Sequence, residues 1–409
     1  MELPPRPQGV PPPAPGGGPP AAAAATQTAP TAFRRSGRNL YLDFLRALAL
    51  VRVVTYHTFN WAWLTLAFPA MGVMFALAGS LMARSLDRGD RSAFAVVRAR
   101  MRRLLPPVWL FGLVVVAAML LTGWRPDEGG GPKAAGWART VYWIVPVGEP
   151  PFADTDWARQ IVEPLWYIRA YLLFVVLSPS LLRVFRRMPR TSTAAFLALA
   201  ALAQSGLLPL PARVAEPFTD LSVFGACWLL GFAHRDKLVL GLPAVRVWAV
   251  SAVVMAAGGW YALTHRTEEG YDLGSIPVSQ ALWSFGFVLL LLRFGPRSDH
   301  WVTRHRPVHA AVVLLNARAV TVYLWHEVAL VLGVVLIDRM WQVPALENSL
   351  PLGATWFLYL VAWPLIALAV LLVGWSEDRA AKRPVRLWPR PVRQTQGAKG
   401  DRPRSARDN

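Results

Sequence analysis

The chain has 409 residues, of which 54% are hydrophobic and only 16% charged, with 19 Trp and a formal net charge of +19. That balance, with repeated apolar runs of about 20 residues, excludes a soluble globular protein and predicts an all-α, polytopic membrane helix bundle. A single cysteine, Cys227, excludes an internal disulfide and reads as a small packing residue.

Residues 1–37 are rich in Pro, Gly and Ala and are expected to be disordered. They lack the ordered charged, apolar and cleavage regions of a signal peptide, so the first span is expected to stay as a helix. The transmembrane domain is expected over 38–375, with about ten spans near 40–62, 66–83, 104–124, 164–183, 193–210, 218–234, 245–263, 278–293, 310–337 and 353–375. An Arg/Pro-rich tail, 376–409, is expected to be disordered.

Charge alternates between the two ends of these spans. The segments before 40, from Arg84 to Arg103, from Arg183 to Arg190, from His234 to Arg246, from Arg293 to His309 and after 376 are each net basic. The loops 125–163, 211–220, 264–277 and 338–352 are each net acidic. Lys/Arg excess marks the cytoplasmic side, so both termini are expected inside a cytoplasmic (inner) membrane. The basicity is then mainly an orientation signal, and no nucleic-acid partner is implied. A polybasic tail touching anionic lipid is a secondary reading.

The first span carries the most informative residues. His57 follows Arg46 by eleven steps, which at ~100° per residue brings both to within ~20° on one face, about 16 Å apart along the axis. Asp43 shares that face. Ionisable side chains at membrane depth are costly unless they face a protein interior or a wet cavity. An acid, a guanidinium and an imidazole on one face therefore line something. Arg52 faces away and has no assigned role.

Before the third span, Arg98 to Arg103 contains four arginines, followed by Pro106 and Pro107. The prolines are expected at the first turn of that helix. Its positive dipole end with Arg100 and Arg103 would suit a phosphate; the competing reading is that these arginines only enforce topology. Near the outer end of the fourth span, Trp166 and Tyr167 read as interfacial belt aromatics, and Arg169 either snorkels outward or meets a polar acceptor. Trp137, Tyr142, Trp143 and Trp157 in the long outer loop either anchor the interface or stack on sugar rings. Tyr323 and His326 share a face of the ninth span, beside Glu327 and after Arg318, with structure and function equally open. A neutral imidazole is a ready general base near neutral pH. No His/Cys/Asp/Glu set has metal-ligand spacing, no nucleotide loop or nucleophile elbow occurs, and no internal repeat is visible.

Several stretches resemble the membrane acyltransferase-3 family of bacterial integral-membrane O-acyltransferases. Tyr41-Leu42-Asp43-Phe44-Leu45-Arg46 through His57 is similar to its Arg-x10-His signature. Gly72 to Gly79 resembles its second-helix motif, and Arg100-Met101-Arg102-Arg103 before Pro106 its Arg-x-x-Arg. Pro164 to Ala170 and Val322 to His326 resemble its fourth-helix and late-helix motifs. The chain departs from the family at Ala78 before Gly79, at Tyr171 where many members have Glu, and at Ala319 where Ser is common.

The resemblance implies an acyl-CoA co-substrate, most simply acetyl-CoA, and no permanently bound cofactor. It implies that Arg100 and Arg103 hold CoA phosphates, that Arg46 orients the donor or stabilises the oxyanion, and that His57 deprotonates the acceptor. His326 and Tyr323 would complete the pocket, with Asp43, Trp166 and Arg169 as substrate contacts. The acceptor would be a hydroxyl of a carbohydrate, glycolipid or secreted natural product. A proton-coupled transporter or flippase is the rival reading, since intramembrane Arg/His/Asp lines also serve transport. A non-catalytic scaffold is the third.

Overall fold

The computed structural model describes residues 39–89, 91–125, 136–268, 270–296 and 300–389. The expected N-terminal tail, 1–37, lies outside them. Helices dominate, and no strand occurs among the described residues beyond an isolated bridge between Thr267 and Gly270.

In chain order the principal helices are α1 (Leu40–Phe59), α2 (Ala70–Leu86), α3 (Ala93–Leu121), α4 (Asp156–Val162), α5 (Leu165–Arg187), α6 (Pro189–Gln204) and α7 (Ala212–Arg235). They continue as α8 (Ala244–Thr264), α9 (Pro277–Arg293), α10 (Arg306–Ala317), α11 (Ala319–Met340), α12 (Thr355–Val373) and α13 (Trp375–Ala380). Six continuous stretches are long and apolar enough to cross a membrane: Trp63–Leu86, Ala93–Leu121, Asp156–Arg187, Ala244–Thr264, Ala319–Met340 and Thr355–Val373. The chain is thus an all-helical multi-pass bundle. Each of the ten expected spans falls on a helix, but four fall short of that standard. α1 carries Asp43, Arg46 and Arg52, α7 carries Arg213, Glu216 and Asp220, and α6 and α9 have only 16 and 17 residues.

Two boundaries differ from expectation in ways that matter for the site. The third helix begins at Ala93, where Ser92 accepts a hydrogen bond from the Ala95 amide, and runs for 29 residues with Pro106 and Pro107 inside it. At 1.5 Å per residue it is about 43 Å long, more than the hydrocarbon thickness, so its arginine-rich first turns stand outside the core. Arg100 and Arg103 are therefore within the helix, and its dipole end is not beside them. The expected ninth span, 310–337, breaks at Arg318, whose backbone (φ −120°, ψ 25°) leaves the helical region between α10 and α11. The Arg318 side chain is fully buried and binds Asp378 on α13 at 2.7 Å. α13 itself lies past the boundary where the C-terminal tail was expected to start, with Ser376 and Asp378 buried.

The core centres on α2, α5 and α7. Gly79 of α2 meets the Trp228 carbonyl and Gly231 of α7 meets the Ala76 carbonyl so closely that a Cβ at either would sit 2.3 or 2.1 Å from that oxygen. Small residues at such a crossing let two backbones approach, the usual device for packing helices in lipid. Around this seam, Phe75 and Trp228 are fully buried and Phe174 stacks on Trp228 with 4.8 Å between ring centroids. The seam supports α1 and α11, which carry the polar residues discussed next.

Candidate active site

His57 sits in the last turn of α1, and its Nδ1 lies 2.7 Å from Glu327 Oε1 on α11. His326 Nε2 approaches the same oxygen at 3.2 Å, and the His57 and His326 rings meet edge-on with 5.0 Å between centroids. The other carboxylate oxygen, Oε2, accepts a 2.8 Å hydrogen bond from the Gln160 side chain of α4. Three distant segments thus converge on one carboxylate.

Hydrogen-bond partners fix the protons. His326 Nδ1 is 2.6 Å from the Tyr323 carbonyl, which can only accept, so Nδ1 carries a hydrogen. Nε2 of His326 and Oε1 of Glu327 are buried 3.2 Å apart without a hydrogen bond between them. His57 Nδ1 makes an ion-pair contact with Glu327 Oε1, and with the proton on Nδ1 its Nε2 carries the lone pair of a base. The side chains of His326 and Glu327 are fully enclosed, whereas His57 keeps 20% exposure. Of the two imidazoles, only His57 can meet an acceptor.

His57, His326 and Glu327 also place one ligand atom each within 4.8 Å of one another. Sequence spacing could not show this set, because His57 is on another helix. Two ligands of one zinc ion, each about 2.0–2.1 Å from it in tetrahedral geometry, stand roughly 3.3 Å apart. The 2.7 Å contact is shorter than that and the two nitrogens close on a single oxygen. The spacing fits an ion-paired cluster better than a tetrahedral zinc centre.

From this cluster a run of rings leads toward the basic end of the bundle. Tyr323 is buried, donates to the Pro164 carbonyl at 3.1 Å, and stands 5.8 Å from the His326 ring and 4.9 Å from Tyr167. Tyr167 is followed by Tyr171 at 6.2 Å. Arg46 comes next, with Asp43, Tyr167, Tyr171 and Arg100 as its electrostatic neighbours. Its guanidinium binds Asp43 at 3.4 Å and Asn316 at 2.9 Å, and Asn316 in turn donates to the Asp43 carbonyl. Asp43 therefore holds Arg46 and lies further still from His57. The three turns between Arg46 and His57 exclude Arg46 from any oxyanion formed at His57.

Arg100 donates to the Leu81 carbonyl at 2.9 Å and to Ser85 at 2.8 Å, and together with Arg103 it lines a cleft at the basic end. Trp166 stacks on Phe224 of α7 at 5.7 Å and belongs to the packing around the seam. Arg169 is buried and committed to acids: Asp220 at 2.9 Å, Glu216 at 3.3 Å and Glu149 at 4.0 Å. The structure brings neither Trp166 nor Arg169 to His57. In the loop between α3 and α4, Trp143 is buried and donates to the Pro151 carbonyl, while Trp137 is exposed.

Sequence reasoning noted Glu327 beside His326 and Tyr167 beside Trp166 without giving either a site role, and it passed over Gln160. For Glu327 the signal existed, since a carboxylate in mid-span needs a partner. Nothing in the sequence marks Gln160.

No curated protein and no solved structure matches the chain. A family model described as an acyltransferase domain matches residues 39–376, a range that holds α1 to the start of α13 and every residue of the cluster. A multi-pass helical bundle with a partly exposed imidazole on a buried carboxylate fits that match, and the chain belongs to the acyltransferase-3 family of membrane acyltransferases.

Proposed function

We propose that the protein transfers an acyl group, most simply acetyl, from acyl-CoA to a hydroxyl of a carbohydrate, glycolipid or secreted natural product, in the cytoplasmic membrane with both termini inside. The observation that carries this reading is the 2.7 Å contact between partly buried His57 and enclosed Glu327. A base of this kind is of use only if its protonated form is stabilised where it forms, and a carboxylate in a low-dielectric setting does that.

The donor would enter from the basic end, its phosphates on Arg100 and Arg103 and its pantetheine arm passing Arg46 and the tyrosine rings. Arg46 orients that arm. At the other end of α1 the acceptor hydroxyl meets His57. Nε2 takes the hydroxyl proton as the oxygen attacks the thioester carbonyl, and the tetrahedral oxyanion collapses with cleavage of the carbon–sulfur bond. The thiolate of CoA receives the proton from His57, which restores the base. Glu327 stabilises the transient imidazolium, Gln160 and His326 hold Glu327, and Tyr323 packs behind His326.

The test compares cells lacking the protein with cells restored by the native chain or by His57→Ala at matched membrane levels. Envelope glycolipids, surface polysaccharide and secreted metabolites are read by mass spectrometry. An acyl-sized mass present only with the native chain is the expected result and identifies the acceptor class. Equal acylation in all three, with a compound redistributed across the membrane, overturns the reading in favour of transport.

A further inference from the structure

Arg52 is the charged residue of α1 that the proposed chemistry leaves unused. It is half-buried, and Tyr56, one turn along the same face, places its ring against the guanidinium at 4.7 Å. The same ring meets His57 edge-on, with 5.5 Å between centroids. A single ring therefore links Arg52 to the base, and Arg52 joins Glu327 and Glu163 as a charge that acts on His57.

Two other segments close around Arg52. The Leu64 carbonyl, on the short helix Trp63–Ala67, accepts from its Nε at 3.4 Å. Asp272, in the segment before α9, is buried and acts on Arg52 through its charge, yet both of its oxygens are taken by neutral donors. Oδ2 accepts from the Tyr56 hydroxyl and Oδ1 from the Gly274 amide, each at 2.7 Å. Among the described residues Arg52 makes no ion pair, and its two terminal nitrogens make no hydrogen bond. A guanidinium carries five N–H donors and keeps its charge in any protein setting. In a membrane bundle such a cation is retained where it faces a partner or a wet cavity. Four of the donors of Arg52 are directed to no acceptor of the described chain.

We propose that Arg52 binds an anionic group of the acceptor, a carboxylate or a phosphate, and so sets the acceptor hydroxyl at His57. This rests on the acyl-transfer reading above and narrows its acceptor to an acidic molecule. In that reading the phosphates of the donor stay at the other end of α1, so the anion that meets Arg52 belongs to the acceptor. Two parallel N–H bonds from a guanidinium fix the orientation of such a group as well as matching its charge. Tyr56 and Asp272 are positioning residues, because the hydroxyl bond to Asp272 holds the ring on which the guanidinium rests.

The acylated product of the test above is first passed over an anion-exchange resin, and its fragmentation in the mass spectrometer tells carboxylate from phosphate. Transfer from the matching acyl-CoA is then measured in membranes carrying the native chain, Arg52→Ala, Arg52→Lys or Tyr56→Phe. The acceptor is offered as isolated and after methyl esterification or phosphatase treatment. The resin should retain the product. The native chain should favour the charged acceptor about tenfold in kcat/KM, Arg52→Ala should lose most of that preference through KM, and Arg52→Lys should keep part of it. Tyr56→Phe frees Asp272 but keeps the ring, so its melting in nanodiscs reports what fastening alone contributes. Four results overturn acceptor recognition and leave acyl transfer standing: a neutral product, equal use of both acceptors by the native chain, a loss confined to kcat, or Arg52→Ala and Tyr56→Phe falling together in melting and transfer. No acylated product from the native chain overturns both.

Discussion

Two of the clusters of buried charge in this bundle are built on opposite plans. Around Arg169 one cation is met by Asp220, Glu216 and Glu149, and its side chain is only 6% exposed. Around Glu327 one carboxylate is met by two imidazoles and an amide, and one of the imidazoles keeps a free nitrogen and an exposed edge. The first cluster ties α5 to α7 and to the outer loop. The second presents a proton acceptor on a rigid support. Charge buried in a membrane bundle can therefore be either a fastener or a reagent, and the deciding feature is whether any group in the cluster remains open.

Breaking the reagent should cost activity without costing the fold. His57→Ala should lower transfer by roughly 10²–10⁴-fold at unchanged membrane levels. Glu327→Gln keeps the shape of the side chain but removes the charge that opposes a protonated His57. We expect a loss of about 10²-fold in kcat with little change in donor KM, read in membranes once the acceptor is known. A Glu327→Gln protein as active as the native chain would sink the dyad, whatever happens at His57.

Breaking the fastener should do the reverse. Arg169→Ala leaves Asp220 without its cation. A fully buried broken pair costs about 3–5 kcal/mol, and since Glu149 and Glu216 are half exposed the loss here should be nearer 2 kcal/mol. Melting of purified protein in nanodiscs should fall, while turnover per folded molecule should hold. A selective loss of kcat at unchanged melting would instead return Arg169 to the substrate-binding role that its motif suggested. Gln160→Ala touches both regions, because α4 directly precedes α5, which carries Arg169, yet reaches Glu327. It should cost only a few-fold in rate, since it removes one of three partners of the carboxylate.

The sequence was legible where physics acts locally. Hydropathy marked the six stretches that are long and apolar enough to cross a membrane, and the eleven-step spacing predicts Arg46 and His57 on one face of α1. It was illegible where partners are remote. Glu327 looked like a neighbour of His326, and only the packing of α1 on α11 makes it the partner of His57. Arg169 looked like a substrate contact because its acids lie on α7 and in the outer loop. Pro106 and Pro107 looked like a helix start because proline favours a first turn, but Ser92 supplies an earlier cap, and prolines within a membrane helix are tolerated when neighbours re-satisfy the backbone. Arg318 looked like part of a continuous span, and its burial against α13 is what breaks the helix there.

That break yields the smallest effect and a separate handle on the basic end. Glu377 of α13 accepts from both the amide and the hydroxyl of Thr321 at 2.6 Å, capping the start of α11 beside Arg318 and Asp378. Burial raises its carboxyl from the ordinary 4.5 to about 7, outweighing the Thr321 donors and the Arg318 charge, which act in the other direction. A carboxyl raised in the folded state binds its proton more tightly there. Its contribution to stability is complete below pH 4.5 and is lost as pH rises through about 7. Hydrogen exchange across residues 375–386, corrected for intrinsic rate, should show protection falling over that window in the native chain and staying level in Glu377→Gln. The α13 segment would then be anchored most firmly when Glu377 is protonated. Arg318 would keep Asp378 as its counter-ion throughout, so the change should loosen the cap on α11 without undoing the break at Arg318. Protection that falls equally in both proteins would assign the titration to another group at this end.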